Sequence, residues 1–407
     1  ADVQAASQDS GSAGRQVFLP SDFARFVPRN ALDMIEQVPG FAIDDGGDAR
    51  GLGQASGNLL INGDRISSKS TSISDRLSRI PAENVVRIEI VDGATLDIPG
   101  LTGRVANIIA KTGALSGQFL WRPRYSTIGV LGLREGEVSI AGSTGPVDYV
   151  IAFENDLSFL ETAGPNIVSF ANGMVDERRF PTTLENDRPE INATFDVALA
   201  PDVALTLNTV GFYADRDSTE NDISNPGDLL PPVAEFTRTR NNDWGYELGG
   251  DLTFPVGPGR LKLIVLEAYE SDDFFTEQRL TEGDLPETGT RFDRSTQTGE
   301  RIARAEYSWP LWGADWQVSG EAAFNRLDQQ SRLFRFDADA GDFAEVAFPS
   351  GQGGVREDRY EALLSYGRRL TDRLSLQVIA GGEYSQIAQT GAAALSRSFQ
   401  RPKGSAG

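Results

Sequence analysis

Two stretches decide how this chain is read: Asn30-Ala-Leu-Asp-Met-Ile-Glu-Gln-Val-Pro-Gly-Phe41 and Arg79-Ile-Pro-Ala-Glu-Asn-Val-Val-Arg-Ile-Glu-Ile-Val-Asp-Gly93. In the first, Asn30 can accept from the unpaired N–H groups of a first helical turn. Leu32 and Ile35 then share a face, and Pro39-Gly40 stops the helix. In the second, Val86, Ile88 and Ile90 alternate with Arg87 and Glu89, which predicts a strand with one buried face. Between them lies Arg50-Gly-Leu-Gly-Gln-Ala-Ser-Gly-Asn-Leu-Leu-Ile-Asn-Gly-Asp-Arg65. Its Asn58–Ile61 part predicts a strand running into Asn62-Gly63, a turn pair that tolerates positive φ. Ser72 to Arg79 predicts a second short helix, ended by Pro81. Gly93, Gly100 and Gly103 lead to a last strand within Gly103-Arg-Val-Ala-Asn-Ile-Ile-Ala-Lys-Thr-Gly113. The expectation is a small α+β domain with a mixed sheet over residues 25–115.

Beyond Gly117 the period changes to two. Ile191, Ala193, Phe195, Val197 and Leu199 interleave with Asn192, Thr194, Asp196 and Ala198. Trp244, Tyr246, Leu248, Leu252 and Phe254 interleave with Gly245, Glu247, Gly249, Asp251 and Thr253. Trp316, Val318, Ala322 and Phe324, then Leu374, Leu376, Val378, Ala380 and Tyr384, repeat the pattern with Glu321 and Glu383 on the polar side. An apolar face with aromatics near its ends, backed by a polar face, suits a strand between lipid and a wet lumen. A soluble β-sandwich would alternate too. Connection lengths separate the two. Tight turns near Ser143–Pro146, Pro201-Asp202, Val256–Gly259, Pro310–Asp315 and Thr371-Asp372 alternate with longer polar stretches: Asn155–Pro189, Asp215–Asp243, Glu270–Thr298 and Leu327–Arg356. Short turns at one end and long loops at the other mark an outer-membrane barrel. About eleven strands are expected, beginning near Gln118, Glu137, Val147, Glu190, Val203, Asp243, Arg260, Glu300, Asp315, Arg359 and Arg373.

The Pro-Gly-Phe turn, Arg-Gly segment, Asn-Gly strand end, Ile-Pro…Arg-Ile-Glu-Ile strand and Val-Ala-Asn-Ile-Ile strand together resemble the plug domain of TonB-dependent outer-membrane receptors. The motifs cover roughly a fifth of the chain, and the architecture covers all of it. The implied fold is mainly β: a plug over 25–115, then an antiparallel transmembrane β-barrel over 116–407. Residues 1–24 would be a leader with a TonB-contacting segment. Plugged transporters carry 22 strands, so about half of such a barrel is present. The expectation is an N-terminal part of the barrel with an unpaired strand edge after about residue 385. A closed barrel would contradict it, because an open edge in lipid leaves backbone groups unsatisfied.

Composition sets outer bounds. With 407 residues, more than one domain is expected. A net charge of -21 argues against nucleic-acid binding, which needs a basic surface. The absence of Cys removes thiolate chemistry, and the absence of His removes Ser-His hydrolysis and His-ligated zinc. No enzyme activity, cofactor or metal is expected. No apolar run is long enough for a helical span, although the mean hydropathy of -0.30 does not argue against a barrel. The amino end, Ala1-Asp-Val-Gln-Ala-Ala-Ser7, reads as a mature end after signal-peptide removal, and Ala1–Gly14 as a disordered leader.

What the resemblance implies for function is energised import across the outer membrane of a Gram-negative bacterium. The partners would be TonB with its inner-membrane energising complex, outer-membrane lipid or lipopolysaccharide, and a small-molecule nutrient such as a siderophore, cobalamin or oligosaccharide. A ligand-sensing transducer and a passive porin-like barrel are the alternatives. Plug and barrel should meet through polar groups, which can separate without exposing a large apolar area. Candidates are Arg50, Arg65, Arg87 and Arg104 on the plug, facing Asp196, Glu247, Asp251, Glu321 and Glu383 on the barrel. Arg87, Glu89 and Asn107 match the Arg, Glu and Asn of the family's strand motifs, whose Glu takes part in plug–barrel pairing. No stretch matches a TonB-contacting segment well; Gln16, Val17 and Phe18 are the nearest β-prone candidate, and a first plug strand is the favoured reading of them. Thr95–Leu101 departs from the family's usual Tyr-Gly segment. Asp44-Asp45-Gly-Gly-Asp48 lacks the spacing of a Ca²⁺ loop, and Gly51-Leu-Gly53 lacks the third glycine of a dinucleotide site. Phe274-Phe275 and Phe334-Arg-Phe336 are expected at loop roots, in an interfacial belt or near ligand.

Overall fold

The computed structural model describes residues 15–44, 57–63, 73–93, 96, 103–111, 115–125, 131–162, 164–171, 173, 175–179, 181–225, 231–371, 374–391 and 394–406. Arg50, Arg65, the Ala1–Gly14 leader, Asp45, Asp48, Gly51 and Gly53 lie outside these residues.

The first domain is built from β1 (Gln16–Phe18), α1 (Ala31–Ile35), β2 (Leu59–Ile61), α2 (Ile73–Ser78), β3 (Val85–Asp92) and β4 (Arg104–Ala110). Its sheet has the order β1-β3-β4-β2, with β2 parallel to β4 and the other pairs antiparallel, so the mixed sheet is as expected. Asn30 caps α1 by accepting from the Asp33 backbone N–H at 2.9 Å. Asn62 and Gly63 both hold positive φ, at 52° and 90°. Phe18, Phe23, Met34, Ile35, Leu77, Ile88 and Ile108 form one dry core between the helices and the sheet. β3 departs from the expected single buried face: Glu89 and Val91 on the other side are buried too, and Val86 is exposed. A register shift between Val85 and Arg87 puts Val85 in the core and turns Val86 outward. A bulge adds a residue to one strand, so strict alternation fails there.

The rest of the chain is a wall. Its strands are β5 (Ser116–Trp121), a small β6–β7 hairpin (Arg124–Tyr125, Leu131–Gly132), β8 (Gly136–Thr144), β9 (Val147–Thr162), a β10–β11 hairpin (Pro165–Ser169, Val175–Arg179) and β12 (Thr182–Ala200). Then come β13 (Val203–Asn225), β14 (Val233–Val256), β15 (Gly259–Glu282), β16 (Thr288–Leu311), β17 (Ala314–Asp337) and a short β18 (Asp342–Val346). β19 (Gln352–Thr371), β20 (Leu374–Gly391) and β21 (Ser396–Ala406) complete it. All but β6 and β7 form a 15-stranded antiparallel sheet in the order β21-β20-β19-β17-β16-β15-β14-β13-β12-β9-β8-β5, with β10, β11 and β18 pairing off this path.

The wall differs from expectation in its long connections. All four stretches read as long loops are mostly strand: β9 to β12 fill most of the first, β13 to β17 run on as a meander of hairpins, and β14, β15, β16 and β17 are 24 residues each. Once clear of an apolar layer both faces are wet, so the pattern of apolar residues fades while the ladder continues. Cross-strand polar pairs hold it: Arg238 to Asp217 at 2.7 Å, Arg240 to Asp215 at 3.2 Å, and Thr239 with Thr276 at 3.1 Å. Phe274, Phe275, Phe334 and Phe336 therefore sit within strands and not at loop roots. Among the described residues, the unpaired edge lies after residue 385, as expected: β21 is the outermost strand on that side. β21 pairs with β20 from Val378↔Ala406 to Ala388↔Ser396. It carries Pro402, which lacks a ladder donor and is tolerated at a sheet edge.

The polarity of the wall is reversed relative to a soluble protein. Trp244, Tyr246, Leu248, Val265, Val318, Phe324 and Leu364 are exposed, while Glu247, Asp251, Arg304, Glu321, Arg359, Glu361 and Glu383 are buried. Two rows of aromatics bound the apolar face. Beside the tight turns, Tyr307, Trp309, Trp316 and Tyr366 contact in sequence, with centroids 5.2, 6.4 and 4.9 Å apart. Higher up, Tyr269 touches Trp244 and Tyr246, and Phe324 touches Tyr360. Leu261 stands opposite Tyr307, so β15 covers the interval between the rows from Leu261 to Tyr269. At ~3.3 Å per residue and a tilt of ~40°, that is roughly 20 Å of height, close to the apolar band of an outer-membrane barrel.

Val265, midway in this band, gives the direct check. Val265→Arg should destabilise the protein in a bilayer by roughly 2–4 kcal/mol, read from urea unfolding in vesicles. An unchanged midpoint would show that this face does not meet lipid.

Candidate functional site: the seat of the first domain on the wall

On the polar face of the wall, Glu137, Glu154 and Glu190 stand directly opposite one another on β8, β9 and β12. Carboxylates ~5 Å apart repel by about 3 kcal/mol at an effective dielectric of ~20. A cation from the first domain answers this row. Arg79, just past α2, donates from Nε to Glu137 at 3.0 Å and from Nη2 to Glu154 at 3.2 Å, and its side chain is only 5% exposed. The third carboxylate, Glu190, pairs with Arg188 of the wall at 3.0 Å.

One turn earlier on α2, Arg76 feels the charges of Asp196 and Asp251. Burial and the nearby Arg79 charge lower the Arg76 guanidinium's proton affinity, and those two carboxylates oppose the shift. Both aspartates also hold partners in the wall: Asp196 accepts from Thr206 Oγ1 at 2.7 Å, and Asp251 pairs with Lys262 at 3.3 Å. The local sequence explains the arrangement. Leu77 anchors α2 in the domain core, so Arg76 and Arg79, one residue before it and two after, project away from that core.

The other candidates fall as follows. Arg87 and Arg15 both donate to Glu89, which is buried in β3 between Val17 and Asn107. Arg104 donates to the Gly40 carbonyl at 2.7 Å and to Gln16 Oε1 at 3.1 Å, tying the α1 exit to β1. A side chain at Gly40, which has φ of +66°, would meet the Arg104 guanidinium at 2.9 Å. Asn107 Oδ1 accepts from the Gly63 N–H at 2.9 Å and so fixes the Asn-Gly turn. These hydrogen bonds lie within the first domain, whereas Arg79, which carries the contact to the wall, and Arg76 beside it were not among the sequence candidates. A sequence signal existed. Two arginines three apart flank a core leucine at a helix end, and those spacings place them on one side of the helix. Gln16, Val17 and Phe18 form β1, an outer strand of the sheet, opposite Ile90, Glu89 and Ile88.

On the wall, Glu321 and Glu383 belong to a network internal to the wall. Glu321, Glu361 and Glu383 again stand directly opposite one another. Here the cations are local: Arg304 to Glu321 at 3.3 Å, Arg359 to Glu321 at 2.7 Å, and Lys403 to Glu383 at 2.8 Å and to Glu361. Glu247 lies higher, beside a cleft of about 600 Å³ that is also lined by Val210, Phe212, Glu270, Glu300 and Glu357.

A family model bears on the first domain. Residues 7–100 match the family model described as TonB-dependent Receptor Plug Domain. No curated protein matches the chain. Among solved structures, the siderophore receptor PiuA from Acinetobacter baumannii shows 13% identity over 96% of this chain and 61% of that one, with a TM-score of 0.34. The ferripyoverdine receptor of the outer membrane of Pseudomonas aeruginosa shows 15% identity over 97% and 54%, with a TM-score of 0.41. BauA, the ferric preacinetobactin receptor from Acinetobacter baumannii, shows 11% identity over 96% and 61%, with a TM-score of 0.40. The chain spans little more than half the length of these receptors. The family match covers the first domain alone: residues 7–100 match a TonB-dependent receptor plug domain, and the antiparallel wall follows it.

Two outcomes test the site. Arg79→Ala leaves Glu137 and Glu154 facing each other with no cation between them. It should weaken the plug's seat by about 3 kcal/mol, read as faster hydrogen exchange in α2 while the wall strands stay protected. The second outcome concerns Glu89. Burial raises its proton affinity, but the hydrogen bonds from Arg87 and Arg15 outweigh it and hold the carboxyl below the usual glutamate range. The stabilisation is therefore complete above the unfolded value of ~4.3 and is lost as pH falls through the lower folded value. Plug stability should drop on acidification across that window, and Glu89→Gln should remove the dependence.

Proposed function

We propose that this chain is the plug-bearing part of an outer-membrane receptor that imports a small nutrient with energy delivered through TonB. One observation carries the reading. A domain matching the plug family rests on the polar face of a wall with an apolar outer side, and the contact between them is charged and hydrogen-bonded. Such a contact can break without uncovering a large apolar area, as a plug that must move requires. The nutrient class is a siderophore, cobalamin or oligosaccharide, following the family resemblance, and the cleft beside Glu247 offers room for one. β1 supports a role for Gln16, Val17 and Phe18 in transmitting force, because an outer strand can leave its sheet without breaking a ladder on a second side. In this reading the protein is a transporter and not an enzyme. Its cell is Gram-negative and its place is the outer membrane.

Growth on single candidate nutrients, with and without the gene and with TonB disabled, is the test. Uptake should require both. Uptake that persists unchanged without TonB would favour a passive barrel.

A further inference from the structure

On the outer face of the wall, Arg326 of β17 and Arg356 of β19 stand directly opposite each other. Like charges in that position destabilise a sheet. Neither guanidinium has a carboxylate within 4.0 Å among the described residues, although Asp328 and Asp358 stand two residues along on the same face. The contrast with nearby outward arginines is direct. Arg301 pairs with Glu267 at 2.5 Å, Arg238 with Asp217 at 2.7 Å, and Arg240 with Asp215 at 3.2 Å.

The surroundings leave room for a ligand. Across the strands at this level the outward row reads Tyr269, Gly299, Arg326, Arg356, Ala388, Ser396. The two arginines are thus flanked by positions with little or no side chain. Arg326 reaches across Gly299, with its Nε 3.3 Å from where a Cβ would stand there. The height also matters. Arg326 lies two residues beyond Phe324, on the side away from the tight turns, so the pair sits just above the upper aromatic row. Aromatic rows mark the depth at which acyl chains give way to headgroups.

The geometry points to a binding site for the phosphate of an outer-leaflet lipid, held between Arg326 and Arg356. Two guanidinium forks converge on one anion, and phosphate is the headgroup group whose charge and acceptors match them. The bound phosphate removes the repulsion between the arginines. The site rests on the outer-membrane reading above and is independent of the transported nutrient.

The test uses protein extracted from outer membranes in neutral detergent and titrated with diphosphorylated lipid A or its dephosphorylated form, with bound lipid counted by native mass spectrometry. The protein should prefer the phosphorylated form. Arg326→Gln with Arg356→Gln should weaken that binding roughly tenfold or more. Arg238→Gln with Arg240→Gln, on the same face, should leave it unchanged. Arg326→Lys with Arg356→Lys should restore part of it, which separates a binding loss from misfolding. Equal binding by the glutamine pair, no preference for the phosphorylated lipid, or equal displacement by inorganic phosphate at the same concentration would overturn the proposal. A protein missing from the outer-membrane fraction would instead overturn the placement on which it rests.

Discussion

Three glutamates placed opposite one another on adjacent strands are tolerable only when cations are interposed, and where those cations come from organises this molecule. On β17, β19 and β20 they come from the wall itself: Arg304, Arg359 and Lys403 answer Glu321, Glu361 and Glu383. On β8, β9 and β12 one of them comes from another domain, because Arg79 answers Glu137 and Glu154. The first row stands without the plug. The second depends on it, and that difference ties a separately folded domain to one region of the wall.

A charged seat suits a contact that must be both specific and reversible. Taking two charges out of water costs several kcal/mol, and their attraction returns much of it, so the net strength is modest while the penalty for mispairing is large. The plug keeps its own stability elsewhere. Its dry core lies between α1, α2 and the sheet, and Glu89, Asn107 and Arg104 lock its internal strands and turns. Among the described residues, the core of the first domain shares no residue with the wall, so the stability of that core does not rest on the seat.

The wall solves a different problem. Its apolar side faces outward between two aromatic rows, and its polar side faces the plug. Above the upper row both sides are wet, yet the strands continue, held by backbone ladders and paired Arg and Asp side chains. Length in this sheet comes from hydrogen bonding, and the apolar residues mark only which part of it is banded.

The period-two pattern, the turn residues and the Asn30 cap were legible in the sequence, because each depends on neighbours within a few positions of the chain. The strand starts beside the tight turns, the turns themselves and the reversed polarity at Trp244, Tyr246 and Leu248 follow from that. The upper halves of β13 to β17 were not legible, since a ladder wet on both faces carries no apolar period. Nor was the bulge that exchanges Val85 for Val86. The seat itself was the hardest to foresee. Arg87, Glu89, Arg104 and Asn107 carry the motif, yet their described bonds lie inside the plug, while Arg79 reaches the wall. Which charge meets which across domains depends on how two rigid bodies lie together, and no short-range pattern encodes the register of Arg79 against Glu137 and Glu154, 58 and 75 positions away.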